Sequence, residues 1–145
     1  MMKRKSFTLV EILVVMSILL ILLTLVLPNI WRGRVNSNES IAVSNLNTLN
    51  SALQMYYINN DTFPDNLSDL VPPASSPAYV DADLVDGSEG GYNFSYNYQG
   101  PDDFSITASP RRVGRTGNRY FYIDDTGMVH YSDEGQASSS DPTLK

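Results

Sequence analysis

Hydrophobic residues are spaced along this chain in three successive rhythms. From Phe7 to Leu27, FTLVEILVVMSILLILLTLVL, nearly every position is apolar and Glu11 is the single charge. A helix of that length, rising about 1.5 Å per residue, matches a hydrocarbon core roughly 30 Å thick. Apolar on all sides, it keeps no face for water, which sets it apart from a buried helix of a soluble domain. Pro28 then removes a backbone donor and crowds the preceding turn, so a kink is expected there. In the second rhythm Ala42, Leu46, Leu49, Leu53 and the Tyr56–Tyr57 pair recur at steps of three and four, with Asn45, Asn47, Ser51 and Gln54 opposite. This is the stripe of an amphipathic helix. The two rhythms together predict one long N-terminal helix over residues 7–59, with 7–27 as the transmembrane or assembly segment and the outer half docked on a head.

The third rhythm has a period of two. NNDTFPDNLSDLVPP breaks the long helix, and Asp65 or Asn66 is placed to cap a short helical turn carrying Leu67 and Leu70. Residues 72–91 are rich in Pro, Gly and Ser and read as a loop. Tyr92, Phe94, Tyr96 and Tyr98 then alternate with polar residues in YNFSYNYQ, and FSITAS repeats the alternation after the turn Gly100-Pro101-Asp102-Asp103. RYFYID and MVHYS supply two more strands across the turn Asp124-Asp125-Thr126-Gly127. The expected fold class is α+β: a long N-terminal α-helix, membrane-spanning in its first half and kinked near Pro28, packed on a small antiparallel β-meander head over residues 60–145. The final stretch, EGQASSSDPTLK, is expected to be loose.

Charge and composition narrow the function. A chain of 145 residues has room for one domain and an anchor. A formal net charge of −6 argues against general nucleic-acid binding. Lys3, Arg4 and Lys5 hold the start of the apolar run on the cytoplasmic side by the positive-inside bias, giving a single-pass protein with its head periplasmic or extracellular. Trp31 suits a membrane interface. The run is longer than the roughly 7–15-residue core of a secretory signal, and LPNIWRG behind it holds no A-x-A-like cleavage site. Cysteine is absent, which excludes disulfides and thiolate metal sites.

Little in the sequence looks catalytic, so the reading is not an enzyme. His130 is the one histidine and reads as structural or exposed. Asp81, Asp83, Asp86 and Glu89 crowd together without the spacing of an EF-hand loop, and they read as solvated acids. Arg111, Arg112, Arg115 and Arg119 form a basic patch. Such a loop touches phosphates, is solvated, or pairs with acids of a neighbouring subunit, and the acidic chain favours the last. An intramembrane acid marks function by default, since a charge at mid-membrane costs about 3 kcal/mol on insertion scales. The alternative is that Glu11 lies at headgroup depth.

KRKSFTLVEILVV decides between them, because it resembles the class III signal of type IV pilins and type II secretion pseudopilins. In that family a basic leader ends in a small residue, usually Gly, followed by an aromatic and a Glu four positions on. Here those places hold Ser6, which departs from Gly, then Phe7 and Glu11; Pro28 also falls where the family's helix carries a proline. FPDNLSDL is similar to a stretch that follows the long helix in pseudopilins, most of all the major type II secretion subunit. The resemblance implies residues 1–6 as a leader, cleavage by prepilin peptidase between Ser6 and Phe7, and N-methylation of Phe7. It implies a filament subunit of a type II secretion or type IV pilus system, partnered by its own copies, the membrane, and an inner-membrane assembly platform and motor. A free α-amino group on Phe7, with a pKa near 8, would then meet Glu11 of the next subunit across a medium of low dielectric. The reading has no resident cofactor. Calcium is the alternative, since major pseudopilins bind it in a C-terminal loop, where this chain carries Asp133, Glu134 and Asp141. Two other functions stay open: a minor pilin that binds DNA or a surface, and a membrane-anchored binding module that does not polymerise.

Overall fold

A computed structural model of the chain describes residues 7–144, and for residues 25–29 the backbone only. The chain forms two compact units, one up to Arg34 and one from Val35 onward. Helix α1 (Leu9–Asn60, 52 residues) contributes to both. The kink expected at Pro28 lies among residues 25–29, whose side chains are outside the described set. Asp61 ends the helix in the left-handed region (φ 55°), and its N–H donates to the Tyr57 carbonyl at 2.8 Å. A short polar side chain tolerates that conformation better than most, which is why the turn-forming NND stops the helix there.

The second unit is built on the predicted stripe. Ala42, Leu46, Leu49 and Leu53 are fully or almost fully buried, in one cluster with Phe104, Ile106, Phe121 and Ile123 of the sheet. Fully burying a leucine stabilises by about 1.5–3 kcal/mol, so this seam is the unit's main source of stability. A 3₁₀ turn (Leu67–Leu70) follows, entered through an Asn66 N–H donated to the Asp69 carboxylate at 3.2 Å. It buries Leu67 and Leu70 as expected.

The sheet is an antiparallel meander in the order β1-β2-β3-β4-β5. Its strands are β1 (Ser88–Glu89), β2 (Tyr92–Gly100), β3 (Asp103–Pro110), β4 (Tyr120–Asp124) and β5 (His130–Ser132). Phe94 pairs with Ala108 and Ala108 with Phe121, while Tyr96 pairs with Ile106 and Ile106 with Ile123, so the apolar face is continuous across the middle strands. The alternation on β2 is less deep than its aromatics suggest: Tyr92 and Phe94 are buried, Tyr96 is half-buried and Tyr98 is exposed. Tyr57 donates to Asp102 at 2.6 Å and Tyr96 to the Pro64 carbonyl at 2.7 Å, which ties the end of the helix and the segment after it to the β2–β3 end of the sheet.

Two expectations need correcting. Residues 72–91 are not all loop, since a single helical turn, α2 (Ala82–Val85), buries Leu84 and β1 extends the sheet edge. The C-terminal tail is not loose either. Tyr131 N–H donates to the Pro142 carbonyl at 3.0 Å and Leu144 N–H to the Val129 carbonyl at 2.8 Å, so the tail pairs with β5. Its polar composition hid a backbone that satisfies itself on an open strand edge.

One charge interrupts the buried stripe. Glu39 is 4% exposed, one step from Val35 and Ala42 in the same rhythm. Its carboxylate accepts from the backbone N–H of Asn118 (2.8 Å) and Arg119 (3.3 Å) and from Arg119 Nε (2.8 Å). The Arg119 guanidinium lies 5.6 Å from the ring centroids of both Phe121 and Tyr131, which suits a cation over aromatic faces. The Tyr92 hydroxyl closes the arrangement by donating to the Arg119 carbonyl at 2.8 Å. A buried carboxylate is tolerable only with such full pairing.

Replacing Glu39→Ala strands Arg119 and the two N–H groups and should destabilise the protein by roughly 3 kcal/mol, read by chemical unfolding. Stability should also fall as pH rises above about 10, the ordinary tyrosine value. Burial raises the hydroxyls of Tyr92 and Tyr96 well beyond it. Between the two values the unfolded chain releases protons that the native state keeps, so unfolding gains. Melting temperatures of Tyr96→Phe should decline less steeply over the same alkaline range.

Candidate functional site

At the start of α1, Thr8 occupies the cap position and Glu11 the third helical position. The Thr8 hydroxyl accepts from Glu11 N–H at 3.3 Å. In return the Glu11 carboxylate accepts from Thr8 N–H and from the Thr8 hydroxyl, both at 3.1 Å and both on Oε2. This reciprocal pattern is a capping box, which satisfies helix-end donors that have no partner in the turn before. A negative side chain in the first turn also complements the helix dipole. Glu11 therefore has a structural role within its own subunit, and the T-x-x-E spacing that announces it is plain in the sequence.

Behind the cap, every side chain described from Phe7 to Thr24 is exposed, Phe7 at 79% and Leu9 at 80%. The two hydroxyls deeper in the run turn inward, Ser17 onto the Leu13 carbonyl at 2.8 Å and Thr24 onto Ile21 at 2.7 Å. Such back-bonding lets a polar side chain lie in apolar surroundings without an unmet donor. Among the described residues no helix is both long and apolar enough to cross a membrane. Within α1 the described side chains of the apolar run extend only from Leu9 to Thr24, fewer than the roughly 18 helical residues that a span requires.

The remaining candidates are spread out. Ser6 lies outside the described residues. In the basic loop, Arg119 is held by Glu39, and Arg111 Nε donates to Asn93 Oδ1 at 3.2 Å. Asn38 of α1 donates to the Thr116 carbonyl at 2.9 Å, fastening the same loop from beside Glu39. His130 is structural: its Nδ1 is 2.7 Å from the Asp141 carbonyl, and its ring meets Tyr122 edge-on. The Asp141 carboxylate accepts from Ser138 N–H at 2.7 Å and the Ser138 hydroxyl at 2.9 Å. Among the described residues no three acids or histidines converge as metal ligands, so Asp133, Glu134 and Asp141 are not brought together. Glu39 is the residue that pattern-reading passed over. Its place at the stripe's three-four spacing marks it as inward-facing, but its partner is 80 positions away.

Comparison with known proteins agrees with these observations. Residues 1–27 match the family model described as the prokaryotic N-terminal methylation motif. Over 94 residues the chain is 32% identical to the major component of the type IV wide pilus of Thermus thermophilus, a match covering 63% of this chain and 72% of that relative. It is 35% identical over 92 residues to the type II secretion system core protein G of Klebsiella pneumoniae, covering 63% and 65% of the two chains. With the core protein G of Aeromonas hydrophila it shares 41% identity over 62 residues, only 43% of either chain. A motif at one end and a relative matched along most of its own length make this chain a member of the type IV pilin and type II secretion pseudopilin family.

Proposed function

We propose that the chain is a structural subunit of a filament in a type II secretion or type IV pilus system, and that its work is assembly rather than catalysis. The observation that carries this reading is the uncovered apolar surface from Phe7 to Thr24 behind a satisfied helix cap. On this reading Phe7–Leu27 spans the bilayer with its N-terminus cytoplasmic and its head outside. Prepilin peptidase then removes residues 1–6 and Phe7 is N-methylated. A motor and assembly platform draw the subunit out, and the apolar helices of neighbouring copies replace lipid. A DNA-binding minor pilin is less well supported, because Arg119 and Arg111 already serve Glu39 and Asn93 in a chain of net charge −6.

Glu11 has two tasks in this scheme. Thr8 is bonded through its backbone N–H, which survives removal of the leader, so the cap persists in the mature subunit. The capped carboxylate then sits one turn from the new Phe7 amine and faces the amines of adjacent copies, where low dielectric strengthens attraction. Specificity has to come from such polar pairs, because lipid and leucine are equally apolar.

Intact mass of membrane-extracted protein tests the reading first: loss of residues 1–6 with gain of one methyl group is expected, and an unprocessed chain would sink it. Glu11→Gln separates the two tasks, because glutamine keeps a capping box while losing the charge. Assembly should fail with Glu11→Gln and Glu11→Ala alike, seen by electron microscopy of sheared filaments; normal filaments from the glutamine variant would reduce Glu11 to a cap. No resident cofactor is part of this scheme. Millimolar calcium should therefore leave the melting temperature unchanged, whereas a clear rise abolished by Asp133→Asn or Asp141→Asn would place a cation there.

A further inference from the structure

Within the unit that starts at Val35, every lysine or arginine among the described residues lies in one loop, as Arg111, Arg112, Arg115 and Arg119. Acids are scattered over the rest of that unit. The loop is built rather than slack. Thr116 N–H donates to the Arg112 carbonyl at 2.9 Å, Gly114 N–H to the Gly117 carbonyl at 3.0 Å, and Arg112 N–H to the Thr116 hydroxyl at 3.0 Å. Glu39 and Asn38 pin it to α1. Gly117 lets it pass the buried Tyr92 ring, because a Cβ at that position would collide with the Tyr92 hydroxyl. At the tip, Val113 is 62% exposed with Arg112 and Arg115 to either side. An exposed apolar tip on a pre-shaped charged loop loses little freedom on docking.

Elsewhere on the same unit is a cleft of about 370 Å³ with matching chemistry. Buried Val80 and Leu84 form its apolar floor, and exposed Asp81, Asp83 and Glu89 stand at its rim. Both features are registered along one face of α1. Asn38 bonds the loop, Asn45 donates to Glu89 at 3.2 Å, and Thr48 lines the cleft. At about 1.5 Å per residue, loop and cleft are offset by about 13 Å along the helix.

We propose that the Val113-tipped arginine loop of one copy seats in the acidic cleft of a copy set about 13 Å lower along the helix axis. The contact joins two different patches with an axial offset between copies, so it cannot close into a ring and repeats as an open helical array. It rests on the filament reading and adds to it the head surface that sets the stagger between copies. A second copy suits the loop better than a nucleic acid or an anionic lipid surface, because the surrounding unit is acidic and repels both.

The chain has no cysteine, which makes cross-linking of the full-length protein in its membrane clean. Arg112→Cys with Asp83→Cys should give a ladder of disulfide-linked oligomers on oxidation, and neither single variant should. Arg112→Glu should cut filament yield at least tenfold, and adding Asp83→Arg should restore it. Both side chains are exposed, so melting temperatures should stay close to the parent's. Filaments that form without a ladder and tolerate Arg112→Glu would overturn this contact and leave the filament reading standing. A parent chain that gives neither filaments nor, as the double variant, a ladder would overturn both.

Discussion

An apolar helix surface with no cover is the constraint on which the rest of this molecule depends. Side chains from Phe7 to Thr24 stand exposed in the single subunit, and water penalises such area in proportion to its extent. Lipid and the helices of other copies are both suitable cover, and exchange between them is nearly neutral because the two are similarly apolar. A subunit that must move from one to the other benefits from that neutrality. Direction and register then have to be supplied by the few polar groups at hand.

Those groups are arranged so that they cost little while waiting. Glu11 and Thr8 satisfy each other at the helix start, and Ser17 and Thr24 fold their hydroxyls back onto the helix. The carboxylate that looks anomalous in an apolar run is thus already hydrogen-bonded before any partner arrives.

In the second unit the same helix meets the opposite problem, a buried charge in an apolar seam. Glu39 resolves it by drawing in Arg119 and two backbone donors from the loop that Asn38 also pins to the helix. Ion pairs of this kind add little net stability over an apolar seam, but they fix one arrangement against its neighbours. Here the fixed object is the arginine loop, held at a defined level on the helix. The subunit's chemistry is therefore positional, and the relatives of the chain are components of pili and secretion systems.

The sequence by itself determined whatever repeats locally. The apolar run, the three-four stripe from Ala42 to Leu53, the two-residue alternation of Tyr92–Phe94 and Phe121–Ile123, and the turns at Gly100–Asp103 and Asp124–Gly127 were all legible, because helix and strand periods impose themselves on neighbouring residues. The T-x-x-E of the cap was equally local, but the pattern reading took Glu11 only as a charge in an apolar run. Tertiary structure alone decided the pairings with no local signature. Strand β1 and the ladder of the C-terminal tail on β5 depend on which edges lie open, not on their own polar letters. Glu39 finds Arg119 across 80 positions. Among the described residues the acids of the C-terminal loop form no metal-ligating group, and Asp141 instead accepts from Ser138. Spacing fixes which face a side chain takes on its own element; only the folded chain fixes what that face meets.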